Sequence, residues 1–188
     1  MLSSTRDKID AVYEYLQNHK DINTQLEFKE NLHYCQPFKK PVVKSRKEII
    51  SFDGGECAID PGEYLDAAAW DKLIQDKNTV LIDTRNDYEV AAGTFKNAIN
   101  PDIHAFSELK TWCDNNLTDK NKPIAMFCTG GIRCEKSTSY LKQKGFKNVY
   151  HLKNGIIGYL METKNKNKLW QDDCFVFDYR MKINSDLA

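Results

Sequence analysis

Short apolar runs alternate with amphipathic stretches between residues 63 and 162. The apolar runs have the length of strands, and the stretches between them carry apolar residues at helical spacing. The predicted strands are EYL, TVLIDTR, PIAMFC and NVYHL, and the predicted helices are AAAWDKLI, FSELKTWCDNNL and EKSTSYLKQKG. Asp66 is placed to cap the first helix and Gly145 to close the last. This alternation predicts an α/β domain, in which a parallel sheet has helices on both faces.

The first 52 residues follow a different pattern. Ser4 and Thr5 can cap a helix with an apolar face, and two strand-like stretches, QLEFKENL and PVVKSRKEIISF, come next. One helix and two strands bury too little surface to offset chain entropy. Residues 1–52 are therefore predicted to be an α+β unit that lacks its first half.

Two other segments lie outside the α/β domain. Residues 53–62, DGGECAIDPG, are rich in glycine and predict a linker. In the C-terminal tail, residues 163–188, the stretch DCFVFDYRMKI alternates polar and apolar residues and predicts one strand.

Composition narrows the classes of protein that fit. Hydrophobic residues make up 41% of the 188 positions, which is enough for a core, and 27 basic side chains balance 27 acidic ones. No global field therefore draws the protein to nucleic acid or to anionic membranes. Because the chain shows neither a membrane-spanning run nor the apolar core of a signal peptide, a cytoplasmic protein without membrane contact is expected.

The chain has six cysteines and four histidines, and their spacing limits the metal and redox chemistry that is possible. The cysteines form no Cys-x-x-Cys pair, so reduced thiols are expected. The histidines do not cluster with one another or with paired cysteines, so no metal site is expected. No dinucleotide fingerprint and no iron-binding triad is legible, and the sequence thus predicts no cofactor.

Cys128 stands where the apolar run PIAMF meets the loop TGGIR and a new helix. Binding sites in parallel sheets gather at such strand ends. Gly130 and Gly131 let the backbone aim N–H groups at the sulfur, and Arg133 adds positive charge. These surroundings lower the pKa of a thiol and make it nucleophilic. An inert buried thiol is the alternative, but cysteine, double glycine and arginine together favour catalysis.

These residues resemble a rhodanese domain. Its motif Cys-x-x-x-x-Arg, between a strand and a helix, comes after a strand that ends in Asp83-Thr84-Arg85, and GFKNVYHLKNGIIGYL is similar to the closing segment of that family. The resemblance implies a rhodanese-like sheet at residues 63–162 and a persulfide on Cys128, held by loop amides. The catalytic residues it implies are Cys128 and Arg133, with Thr129, Gly130, Gly131 and Ile132 forming the active-site loop.

The stretches RNDYEVAAGTFKNAINP, FCTGGIRCEKST, LKNGIIGYL and CFVFDYR together resemble one bacterial rhodanese-domain family, the tRNA uridine hydroxylases. That resemblance implies formation of 5-hydroxyuridine at the wobble position, with tRNA as partner and molecular oxygen as co-substrate. It leaves the reductant or sulfur donor unidentified. It also implies that residues 1–52 are part of a ferredoxin-like domain and that the chain is a fragment.

Four residues near the loop have roles that the sequence leaves open. Arg133 either binds an anionic substrate or ties the loop to a carboxylate such as Asp83. The family uses a pair like Asp83 and Arg85 to brace its active site, so the resemblance implies a supporting role for both. Cys134 is either a resolving thiol for oxidised or persulfidated Cys128 or a small residue packed under the loop.

One basic run is the candidate for RNA contact, because clusters of lysine and arginine bind phosphates. Its members are Lys39, Lys40, Lys44, Arg46 and Lys47. The alternative is a charged edge strand that discourages aggregation.

The favoured function is oxygen-dependent hydroxylation of a tRNA uridine by an oxidoreductase that uses Cys128. In this hypothesis the thiolate adds to C6 of uracil, and oxygen attacks the electron-rich C5. A sulfurtransferase that carries sulfane sulfur as a Cys128 persulfide is the enzyme alternative. A non-enzymatic binding module is the second alternative.

Overall fold

The structure is a computed structural model that describes residues 2–26, 28, 30, 32, 34, 36–38, 40, 42–52, 60–164 and 169–184. It divides into two compact units, one formed by Met1–Val43 with Phe177–Arg180 and the other by Lys44–Val176 with Met181–Ala188. The smaller unit contains helix α1 (Arg6–Gln17), in agreement with the helix predicted after Thr5. Across the described ranges, no helix combines the length and apolar character needed to cross a bilayer.

A parallel sheet forms the centre of the larger unit. Its strands are β1 (Glu63–Leu65), β2 (Val80–Asp83), β4 (Ile124–Phe127) and β5 (Val149–Leu152), and their order across the sheet is β1-β5-β4-β2. Asp83 lies opposite Phe127, and Met126 lies opposite His151. The carboxyl ends of β2, β4 and β5 therefore meet at one edge of the sheet.

Helices cover both faces of this sheet. They are α2 (Ala67–Ile74), α3 (Asp87–Val90), a 3₁₀ turn (Phe106–Glu108), α4 (Leu109–Asn116), α5 (Ile132–Gln143) and α6 (Gly155–Thr163). Because side chains alternate along a strand, β4 contributes to two cores. Ile124 and Met126 belong to the core that includes Leu141 of α5, whereas Phe127 belongs to the core that includes Tyr159 of α6. The predicted α/β layering is confirmed.

Two predicted helix boundaries agree with the structure. Asp66 caps α2, since its carboxylate accepts a hydrogen bond from the amide of Ala69 at 2.8 Å. Helix α5 ends at Gln143, and Gly145 follows with a positive φ of 89°. That conformation favours glycine and lets the chain turn away from the helix.

The strands predicted before residue 53 are wrong where the structure describes them. Residues 42–52 form no strand and bend at 47–50 and 52. Phe52 is buried in the core, where its ring stacks on that of Phe106 at a centroid distance of 4.8 Å. Two backbone amides that a sheet would use donate to side chains instead. The amide of Phe52 donates to the carboxylate of Glu48, and the amide of Leu26 donates to the side-chain oxygen of Gln17. The residue types in these stretches alternate as in a strand, but in the described residues no neighbouring strand pairs with them. A ferredoxin-like character for this region stays a prediction.

The tail contains more strands than the single one predicted. The short strand β6 (Trp170–Asp172) pairs antiparallel with β3 (Gly93–Phe95), and β7 (Cys174–Phe175) pairs antiparallel with β8 (Lys182–Ile183). A single strand over DCFVFDYRMKI is therefore wrong, because the chain folds back on itself and Met181 takes a positive φ of 61°. Most of the predicted linker, residues 53–59, lies outside the described residues.

Candidate active site

Cys128 follows directly after β4, at the edge of the sheet where β2 and β5 also end. Its side chain is buried, and the loop that follows it leads straight into α5. The structure thus brings the predicted catalytic cysteine and the TGGIR loop to the position where parallel sheets hold their ligands.

The loop curls around the sulfur atom. The amide of Gly131 donates a hydrogen bond to Sγ of Cys128 at 3.1 Å. Gly131 has a positive φ of 94°, a conformation that side chains rarely adopt, so the curl depends on glycine here. A Cβ atom on Gly130 would meet nothing within 4 Å, and Ile132 is 43% exposed. The loop is therefore open at Gly130 and Ile132.

Helix α6 holds the carbonyl groups of the same backbone turn. The amide of Ile156 donates to the carbonyl oxygen of Cys128 at 2.9 Å, and that of Ile157 donates to the carbonyl oxygen of Thr129 at 3.1 Å. These bonds satisfy two N–H groups of the helix end, which otherwise lack partners. They also hold the two carbonyls toward α6, which leaves the loop amides free to face the sulfur.

The surroundings of Cys128 favour the thiolate. Burial alone would raise its pKa, but the thiol of Cys134, the charge of Arg133 and the amides of Cys134 and Gly131 together lower the pKa to about 6. Burial and the hydrogen bond to Cys128 raise the pKa of Cys134. The pair therefore consists of a thiolate at Cys128 and a thiol at Cys134 that donates to it.

Arg133 pairs with Glu89, not with Asp83. Its Nη1 and Nη2 atoms donate to the two carboxylate oxygens of Glu89, each at 2.6 Å. The side chain of Glu89 is fully buried and that of Arg133 is 7% exposed. Arg133 therefore ties the loop to a carboxylate, which is one of its two predicted roles. The carboxylate is Glu89 and not the suggested Asp83, which is bound to Arg85.

Asp83 and Arg85 form a buried ion pair beside the loop. Nε and Nη2 of Arg85 donate to the carboxylate of Asp83 at 2.9 and 2.6 Å, and Nη2 also donates to the carbonyl oxygen of Gly93. The hydroxyl of Thr94 donates to the same carboxylate, and the guanidinium lies over the ring of Trp170. This arrangement fits the supporting role implied for the pair.

Cys134 lies in the first turn of α5 and is completely buried. Its sulfur is 3.6 Å from the hydroxyl oxygen of Thr84, which donates to the carbonyl oxygen of Phe127. Cys134 therefore both packs under the loop and contacts Cys128. A resolving role for Cys134 stays a prediction.

The basic run proposed for RNA contact is only partly described. Lys39 lies outside the described residues, and Lys40, Lys44, Arg46 and Lys47 are exposed. Residues 42–52 contain no strand, so the alternative of a charged edge strand is wrong there. RNA binding by these residues stays a prediction.

Sequence reasoning missed two residues of the site. No role is assigned from the sequence to Glu89, which lies in the stretch RNDYEVAAGTFKNAINP. Its place three residues after Asn86, the residue before α3, indicates a capping role. Gly155 has a positive φ of 65° and lies against the loop. Within the described ranges, no three His, Cys, Asp or Glu side chains are grouped to hold a metal ion.

The chain is similar to known proteins over nearly its whole length. Residues 66–162 match the family model of the rhodanese-like domain. Proteins named tRNA uridine(34) hydroxylase from Rickettsia bellii and Legionella pneumophila are each 46% identical to the chain, over 99% and 98% of its length and over 76% and 74% of theirs.

Solved structures with the same kind of domain are more distant. A rhodanese-related protein from Thermoplasma volcanium is 26% identical and superimposes with a TM-score of 0.45. The match covers 53% of this chain and 92% of that protein. A rhodanese-like domain protein from Staphylococcus aureus is 25% identical, with coverages of 52% and 90% and a TM-score of 0.42.

Proposed function

The chain belongs to the tRNA uridine(34) hydroxylase family and contains a rhodanese-like domain, and we propose that it hydroxylates C5 of the wobble uridine of tRNA with Cys128 as the nucleophile. The observation that carries the proposal for Cys128 is the hydrogen bond from the amide of Gly131 to its sulfur, in surroundings that lower the pKa of the thiol to about 6. A thiolate is thus ready to react at neutral pH.

The proposed first step is addition of the Cys128 thiolate to C6 of uracil. The new S–C6 bond moves an electron pair onto C5 as an enolate, which molecular oxygen can attack. One oxygen atom becomes the C5 hydroxyl and the other leaves as water, so the reaction consumes two electrons and two protons from an external reductant, such as a thiol. Loss of the C5 proton and departure of the thiolate restore the ring and the enzyme.

The loop supports this step in two ways. The amide that faces the sulfur stabilises the thiolate before the attack and after its departure. The open side at Gly130 and the exposed Ile132 leave room for a flat ring to approach a sulfur that is otherwise buried. A uridine in the anticodon loop is not held in a duplex, so presenting it requires little unpairing.

In this proposal tRNA is the partner, and the reaction takes place in the cytoplasm, where tRNA is found. The exposed basic residues Lys40, Lys44, Arg46 and Lys47, with Lys39, are the proposed phosphate contacts. No cofactor is assigned, and oxygen is a co-substrate.

The test is nucleoside mass spectrometry of tRNA from cells that lack the gene and carry either the wild-type protein or Cys128→Ser. We expect 5-hydroxyuridine derivatives only with the intact cysteine. Cys113→Ser is the matched control, because Cys113 is also buried but is part of α4 and not of the loop. Full modification in the Cys128→Ser strain would contradict the role of Cys128.

A sulfurtransferase is the second candidate, because an amide directed at a buried thiolate also suits the outer sulfur of a persulfide. Incubation with thiosulfate would then add the mass of one sulfur to Cys128, and cyanide would remove it as thiocyanate. A binding module predicts neither result and tolerates substitution of Cys128.

A further inference from the structure

Glu89 is a buried carboxylate that gathers donors from both ends of the catalytic loop. Besides the two bonds from Arg133, it accepts hydrogen bonds from the hydroxyl of Thr129 at 3.3 Å and from the amide of Asn86 at 3.2 Å. Thr129 follows Cys128 directly, and Arg133 lies in the first turn of α5. The carboxylate therefore connects α3 to the whole loop.

The pairing leaves Arg133 badly placed to receive an anion. Both of its terminal nitrogens donate to Glu89 at 2.6 Å, and the side chain is almost entirely buried. Opening a buried bidentate pair in order to bind a substrate oxyanion would leave the carboxylate without its countercharge, which is strongly unfavourable. Arg133 thus lowers the pKa of Cys128 through its charge, while its two short hydrogen bonds go to Glu89.

The charges around the reactive sulfur do not favour anions. When Cys128 is a thiolate, the group formed by Cys128, Arg133 and Glu89 contains one positive and two negative charges. The neighbouring buried ions, Asp83 and Arg85, cancel each other. The net negative charge therefore repels an anion that approaches the sulfur, whereas it does not repel an uncharged ring.

We propose that Glu89 determines specificity: by cancelling the charge of Arg133, it makes the site select an uncharged group, such as a pyrimidine ring, over a small anion such as thiosulfate. That the selected group is a pyrimidine rests on the proposed function. The preference for an uncharged group over an anion does not. Glu89 touches no reacting atom and acts through Arg133 and Thr129.

Two alkylating reagents of similar size measure this selection directly. Iodoacetamide is neutral and iodoacetate is an anion, and both react with the same thiolate, so the ratio of their rate constants is independent of the pKa of Cys128. Tandem mass spectrometry assigns the modified cysteine. The variants are Glu89→Gln, Arg133→Gln and the double substitution, each checked for folding by circular dichroism.

Each variant has a different expected ratio. Glu89→Gln removes one negative charge and should shift the ratio toward iodoacetate by about fivefold, the order expected for one charge near a partly wet site. Arg133→Gln should shift it the other way, and the double variant should return to the wild-type ratio.

An unchanged ratio in Glu89→Gln would overturn the proposal. If that variant does not fold, the double variant and Arg133→Gln provide the same test, because they differ only in the charge of Glu89, and equal ratios would be contrary to the proposal. The wobble modification is measured separately. Its persistence in Cys128→Ser would reject the proposed function and leave the charge series intact.

Discussion

A Cβ atom on Gly155 would lie 2.5 Å from the carbonyl oxygen of Cys128. The same atom would lie 2.7 Å from the amide nitrogen of Gly131. Because both neighbours are backbone atoms, neither can move without opening the loop around Cys128. The start of α6 and the turn at Cys128 are therefore one structural unit.

Gly155→Ala should consequently destabilise the fold and slow the chemistry. We expect a loss of about 3 kcal/mol in the free energy of unfolding, from overpacking and the left-handed backbone together. Gly145→Ala is the matched control: its φ is also positive, but its Cβ would approach only the Lys120 side chain, at 3.6 Å. A cost of about 1 kcal/mol is expected there. Equal losses in urea unfolding would show that the contact with Cys128 is unimportant.

The pKa of Cys128 predicts how alkylation depends on pH. Since only the thiolate reacts, the rate with iodoacetamide should rise tenfold per pH unit below about 6 and level off above it. In the denatured chain the same cysteine should titrate near its ordinary value of 9.0. A midpoint close to 9 in the folded protein would contradict the proposed site.

The same shift links the site to stability. The pKa of Cys128 is lower in the folded state than in the unfolded state, so ionisation stabilises the fold. This contribution is complete above the unfolded value of 9.0 and is lost as the pH falls toward about 6. The free energy of unfolding of the wild type should therefore rise relative to that of Cys128→Ser as the pH is raised from about 6 to 9.0.

Cys134 should control the pKa of Cys128. Cys134→Ala removes the thiol that donates to the thiolate, so the alkylation midpoint should rise by about one pH unit. Cys134→Ser retains a donor and should shift the midpoint less. Equal shifts in the two variants would show that packing, not hydrogen bonding, is the contribution of Cys134.

The sequence predicted features that depend on neighbouring residues and missed those that depend on distant ones. The strand ending at Phe127 and the loop from Cys128 to Arg133 are local, and both were found. Glu89 and Gly155 meet that loop only after the sheet has assembled, and no local pattern marks such contacts. Residues 42–52 alternated like a strand, but Phe52 found a better place in the core beside Phe106.

The pair of Asp83 and Arg85 should matter more for folding than for chemistry. Asp83→Asn would leave a fully buried guanidinium without its countercharge, at a cost of about 3–5 kcal/mol. Asp178 and Arg180 have the same spacing and the same Nε contact at 2.9 Å, but the Arg180 side chain is 20% exposed. Water can solvate that arginine, so Asp178→Asn should cost less. Urea unfolding of the two variants measures the difference, and equal costs would mean that burial of Arg85 does not set the strength of the pair.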